Sequence, residues 1–147
     1  MASLDLKLAI NIQAPPQRVY NLLTDIPRIP ALFEGFHDVR NFHGGDVAEG
    51  DTFTVVTSFM GREILNEYTV TELESPSILA WDALSPQAKV NSKFTIADYE
   101  GGSRVILHVV GNPRGLVASI GMGMIEANLK EGIIRDLKNI RAILEAE

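Results

Sequence analysis

The sequence predicts an α+β domain: seven antiparallel strands in one sheet, two short helices after the first strand, and a long C-terminal helix across the sheet. Three observations predict it. The first stretch alternates apolar and polar residues with a period of two, six further strand-like runs follow one another through short turns, and the last segment carries an apolar stripe at helical spacing. At 147 residues, with 46% hydrophobic and 22% charged side chains, the chain suits one folded domain, 1–147, able to remove about 70% of its unfolded surface from water.

Leu4, Leu6, Leu8, Ile10 and Ile12 alternate with Asp5, Lys7, Ala9 and Asn11, the pattern of a strand with one buried face. Ala14-Pro15-Pro16 ends it. Val19, Tyr20, Leu22 and Leu23 then recur at helical spacing behind prolines that a first turn tolerates. Pro27 closes that helix, and Pro30 starts a second one containing Ala31, Leu32 and Phe33, since proline fits a helix start better than an interior. Strands are predicted at Phe36–Phe42, Thr52–Phe59, Glu63–Leu73, Ile78–Leu84, Val90–Tyr99 and Arg104–Val110, separated by turn-forming runs such as Gly44-Gly45-Asp46, Met60-Gly61-Arg62 and Glu100-Gly101-Gly102-Ser103. Asn112-Pro113 is expected to end the last strand and to cap the final helix. There Leu116, Ile120, Met124, Ala127, Ile134, Leu137, Ile140 and Leu144 fall near one stripe, and Lys130, Glu131, Arg135, Asp136 and Lys138 occupy the remaining surface. A helix of roughly thirty residues would reach about 45 Å, enough to span a small sheet.

Several function classes are excluded by composition. The formal net charge is -6, and no cluster of Lys or Arg accompanies exposed aromatics, so a nucleic-acid partner has no electrostatic source. No apolar run approaches the ~20 residues of an integral membrane segment, and Asp5 stands where a signal peptide would carry a basic head, which reads as cytoplasmic. Zero cysteines remove disulfides and thiolate chemistry. His37, His43 and His108 form no HxxH or HExxH pairing, so a metal would need ligands distant in sequence. With no phosphate-cradling glycine loop, nucleophile elbow or paired-carboxylate motif, no cofactor is expected. Oligomeric state is left open, although Ile106 and Val110 share a face with His108 and mark an apolar outer patch.

The element order resembles the START-related superfamily of polyketide cyclases, lipid-transfer domains and plant pathogenesis-related allergens (SRPBCC), over nearly the whole chain. The phrases that carry the resemblance are Ile12-Gln13-Ala14-Pro15-Pro16-Gln17-Arg18-Val19-Tyr20 with Leu23-Thr24-Asp25, then Val70-Thr71-Glu72-Leu73-Glu74-Ser75-Pro76, and Glu100-Gly101-Gly102-Ser103-Arg104-Val105. It implies a helix-grip fold, in which the last helix grips a curved sheet without filling it. Where many relatives carry Trp at the pocket mouth, this chain has Phe33.

Such a cavity points to a small hydrophobic ligand of lipid, polyketide or isoprenoid type, held by shape and apolar area. The expected wall is Phe53, Val55, Tyr68, Trp81 and Phe94 from the strands, Met122, Met124 and Ile125 from the last helix, and Phe33 at the mouth. Each strand or helix residue among them reads first as core packing. Gly121 and Gly123 each cost about 1 kcal/mol in a helix; they either thin it over the sheet or a ligand, or serve a kink or close contact. Asn66 and Tyr68 share a strand face and either hydrogen-bond a ligand carbonyl or form the candidate catalytic pair, Tyr68 as a general acid should burial bring its pKa toward working pH. Asp82 neighbours Trp81 but faces the other way. Binding is favoured over catalysis; the alternatives are a polyketide cyclase/dehydratase-like enzyme and a quinone-binding or protein-interaction module.

Overall fold

The structure, a computed structural model, describes residues 3–114 and 121–146. It contains β1 (Leu4–Ile12), α1 (Pro16–Leu23), a 3-10 turn (Ile26–Arg28), α2 (Ile29–Leu32), β2 (Asp38–Arg40), β3 (Thr52–Phe59), β4 (Arg62–Glu74), β5 (Ile78–Leu84), β6 (Ala88–Tyr99), β7 (Gly102–Pro113) and α3 (Met122–Ala146). The strands form one curved antiparallel sheet in the order β1-β7-β6-β5-β4-β3-β2, so the chain runs as a meander from β2 to β7 and closes on β1. This is the α+β helix-grip architecture expected from the sequence.

The period-two reading carries through. On β1 the odd partners Asp5, Lys7, Ala9 and Asn11 are exposed, while Leu4 and Ile12 are buried and Leu6, Leu8 and Ile10 pack against the core. α3 lies along β1 and buries Ile133, Leu137, Ile140 and Leu144, one stripe at i, i+4, i+7 and i+11. The stripe therefore passes through Ile133, with Ile134 half-buried beside it, and Met124 and Ala127 are exposed. Polar contacts pin the C-terminal half of α3. The Gln13 N–H donates to the Glu145 carboxylate at 2.8 Å, the Arg18 guanidinium to the Leu144 carbonyl at 2.9 Å, and the Asn139 amide to the Ala31 and Leu32 carbonyls at 3.0 and 3.2 Å.

Three boundaries differ from expectation. β2 has three residues where seven were predicted, because Asn41 adopts a left-handed backbone with φ 64° and ends the pairing. β7 continues to Pro113, paired with Ala88, and Asn112 pairs with Lys89, so Asn112-Pro113 belongs to the strand itself. A proline at the end of a strand costs no central ladder bond. The helix described has 25 residues, about 37 Å at 1.5 Å each, and Leu116 and Ile120 lie outside the described residues. β4 carries a bulge: Val70 pairs with Trp81 and Glu72 with Ala80, leaving Thr71 as the extra residue. Among the described residues no helix is long and apolar enough to cross a membrane.

Gly102 shows why one turn tolerates no side chain: a Cβ there would run into the Ile12 carbonyl oxygen and the Gln13 backbone, where β1 leaves the sheet. Beside it, the buried Ser103 hydroxyl donates to the Ala14 carbonyl at 2.6 Å. Gly102→Ala should lower stability by about 1–3 kcal/mol in urea unfolding. Gly35→Ala, with open space around its Cβ, should change it by under about 0.5 kcal/mol. Equal effects at the two positions would remove the close approach as the cause.

Candidate functional site

Between the inner face of the sheet and the middle turns of α3 lies a cavity of about 230 Å3. Its wall follows strand alternation: Asn66 and Tyr68 on β4, Trp81 and Ala83 on β5 with Ser85 just beyond, Ala88, Val90, Ser92 and Phe94 on β6, and Leu107 and Val109 on β7. Phe33 and Phe36 close one side from the segment after α2, and Leu129, Ile133 and Asp136 project from α3.

Five of these side chains are aromatic and form a closed circuit. Ring centroids are 4.9 Å apart for Phe33 and Phe36, 5.9 Å for Phe36 and Tyr68, 5.7 Å for Tyr68 and Trp81, 5.8 Å for Trp81 and Phe94, and 6.3 Å for Phe94 and Phe33. The pairs are tilted or edge-on, the arrangement that ring quadrupoles prefer over face-to-face stacking.

The expected site residues divide into three groups. Phe33, Asn66, Tyr68, Trp81 and Phe94 meet around the cavity. Phe53 and Val55 are buried on the same face of β3 yet lie outside the wall, Phe53 stacked on the back of Tyr68 at 5.3 Å. Of the helix residues, Met124 is 60% exposed and Ile125 half-buried, both outside the wall, while the side chain of Met122 lies outside the described part of the chain. Nor, among the described residues, do the glycines thin a contact. Gly121 adopts φ 104°, which its missing Cβ permits, and a Cβ on Gly123 would meet nothing within 4 Å.

Asn66 spends its amide N–H groups on its own sheet, donating to the Val55 carbonyl at 2.9 Å, the Thr57 hydroxyl at 3.0 Å and the Ile64 carbonyl at 3.3 Å. Its side-chain oxygen and the Tyr68 hydroxyl have no hydrogen-bond partner among the described residues. Burial pushes the Tyr68 hydroxyl far above the ordinary tyrosine pKa, away from working pH, so the group is a neutral donor or acceptor rather than a titrating acid.

Asp136, which the helical pattern assigns to the surface left by the apolar stripe, lines the cavity instead. Its position, three residues after Ile133 and one before Leu137, at the margin of the buried stripe, is the signal that would have placed it. The Glu34 N–H donates to its carboxylate at 3.1 Å. Burial, with the Glu34 charge adding to it, raises its pKa despite that hydrogen bond and the nearby Arg135. Ala83, Ser85, Val90 and Ser92 were also missed, although counting by twos from Trp81 and Phe94 leads to them. Among the described residues no three His, Asp or Glu side chains gather as a metal site.

A curved sheet gripping a terminal helix, with an apolar hollow left between them, defines a helix-grip protein, and solved structures agree. The chain is similar to Ara h 8.0201 (13% identity, TM-score 0.77, 99% of this chain and 100% of that one) and to the Zhui aromatase/cyclase from Streptomyces sp. R1128 (14%, 0.81, 98% and 94%). It is likewise similar to a START superfamily protein from Mycobacterium smegmatis (10%, 0.78, 97% and 97%). At these identities the likeness is one of fold. The family model described as polyketide cyclase / dehydrase and lipid transport matches residues 3–145, and the chain belongs to that family. None of the curated proteins matches the sequence.

Two variants test this geometry. Tyr68→Phe removes a hydroxyl that gains no protein hydrogen bond, so urea unfolding should place it within about 0.5 kcal/mol of the parent or above it; a loss beyond about 1 kcal/mol would reveal a structural partner. Because the folded state raises the Asp136 pKa, it binds the proton more tightly than the unfolded chain. Stability contributed by this group is therefore lost as pH rises from the ordinary value of 3.8 through the raised one. Relative to the parent, Asp136→Asn should gain stability between about pH 4 and pH 7; a flat or falling difference contradicts a desolvated carboxyl.

Proposed function

We propose that the chain acts as a single domain that binds a small hydrophobic molecule, of lipid, polyketide or isoprenoid type, in the hollow between sheet and helix, and carries or sequesters it. The observation that carries this reading is the composition of the wall: apart from Asn66, Tyr68, Ser85, Ser92 and Asp136, it is aliphatic or aromatic, the pattern of a site that binds by apolar burial and orients by a few polar groups. Membership of a family described by polyketide cyclisation and lipid transport supports it.

Cyclase-like catalysis is the second reading, favoured by the fold shared with an aromatase/cyclase. Tyr68 and Asn66 would serve it by positioning a substrate oxygen or hydroxyl, since a neutral phenol and an amide oxygen hydrogen-bond well and exchange protons poorly at neutral pH.

Isothermal titration with 1-naphthalenemethanol tests the cavity. Val90→Trp fills it from β6 and should weaken binding tenfold or more, whereas Leu65→Ser, on the exposed face of β4, should leave affinity within about twofold. Equal binding by parent and Val90→Trp would place the probe elsewhere. A native mass spectrum of the purified protein is expected to contain a co-purifying apolar small molecule.

A further inference from the structure

The wall contains one carboxylate and, among the described residues, no Lys, Arg or His. Its other titratable group, Tyr68, is neutral. The cation that acts on Asp136, Arg135, bridges to Glu34 at 3.3 Å outside the cavity, where both side chains are more than half exposed. That pair cancels, leaving the Asp136 charge uncompensated at the cavity margin. Among the described residues the only hydrogen bond to it comes from the Glu34 N–H, and its second oxygen accepts nothing.

The surroundings of this carboxylate are as selective as its charge. The closed circuit of Phe33, Phe36, Tyr68, Trp81 and Phe94 offers π faces and edges, and among the described residues no cation lies over them. Ring faces attract cations through their quadrupole, by about 0.5–1 kcal/mol when exposed and about 2 when desolvated, and aromatic cages are a recurring device for ammonium groups. Tyr68 is 8% exposed, with its hydroxyl unpartnered, and contributes a further oxygen toward which an N–H can point.

We propose that the cavity is selective for an organic ammonium: an apolar body carrying a protonated amine whose charge sits between the Asp136 carboxylate and the aromatic circuit. The inference rests on the cavity being the binding site and names the ligand class it takes. An apolar molecule without the charge leaves Asp136 ionised and poorly solvated; an ammonium relieves that cost, and an anion adds to it. The net charge of -6 acts in the same direction at longer range.

The cavity is smaller than the roughly 300–1,000 Å3 of drug-sized sites, so the probes are small and matched in shape. Isothermal titration of the intact protein would compare (1-naphthylmethyl)ammonium, 1-naphthalenemethanol and 1-naphthoate at about pH 7.5. The ammonium is expected to bind at least tenfold more tightly than the alcohol, and the carboxylate more weakly than both. Asp136→Asn should bring ammonium and alcohol to within about threefold of each other. Without any substitution, the preference should also shrink in the parent as pH falls toward the Asp136 pKa, with Glu34, Arg135 and His37 the other charged or titratable groups facing this margin and the probe remaining an ammonium. Alcohol binding with no ammonium preference, or a preference that survives Asp136→Asn, overturns the ligand class and leaves the cavity reading standing. Binding of none of the three overturns both.

Discussion

Everything in this molecule depends on how the C-terminal half of α3 is held against the rest of the fold. Leu137, Ile140 and Leu144 are buried in the core that β1 helps to build, and Glu145, Leu144 and Asn139 are tied to Gln13, Arg18 and the end of α2. Among the described residues no such tie is made by the other half, where Met124, Ala127 and Asn128 face outward and Leu129 and Ile133 reach toward the sheet. A rod pinned at one end over a curved surface leaves a gap further along it, here under Leu129, Ile133 and Asp136. The hollow is thus a consequence of packing asymmetry, and its apolar lining is the same alternating strand pattern that elsewhere makes solid core.

That distinction explains what was legible in the sequence. Alternation on β1 and the even-numbered face of β4 follows from backbone geometry, which one residue in two obeys whatever surrounds it. The ends of elements were harder to read. Asn41 breaks β2 through a backbone angle that nothing in its neighbours announces, and Asn112-Pro113, a good helix start by chemistry, is held as strand because Lys89 and Ala88 stand opposite. Tertiary pairing overrides local preference there.

The site was half legible for the same reason. Phe33, Asn66, Tyr68, Trp81 and Phe94 were reached by knowing which face points inward, and that knowledge could not separate them from Phe53 and Val55, which face the same way beneath filled space. Whether an inward side chain meets a void is decided by what the helix above it does, which is a long-range matter. Asp136 was obscured by its charge: a carboxylate beside Arg135 and Lys138 suggests water, while a small rotation of the buried stripe, through Ile133 instead of Ile134, brings it to the cavity edge. Met124, expected in the wall from its place on the helix, is exposed instead.

The bulge in β4 has a reach greater than its single residue. Up to Val70, even-numbered side chains point inward and Asn66 and Tyr68 look into the hollow; past the unpaired Thr71 the parity switches, and Leu73 is the one that turns toward the buried Leu79 side of the sheet. One inserted residue therefore lets a thirteen-residue strand serve two tenants, lining an opening along one stretch and sealing the floor along the next. A strand without that extra step would present a single set of side chains throughout, and the boundary between open chamber and solid interior would have to be drawn by some other element.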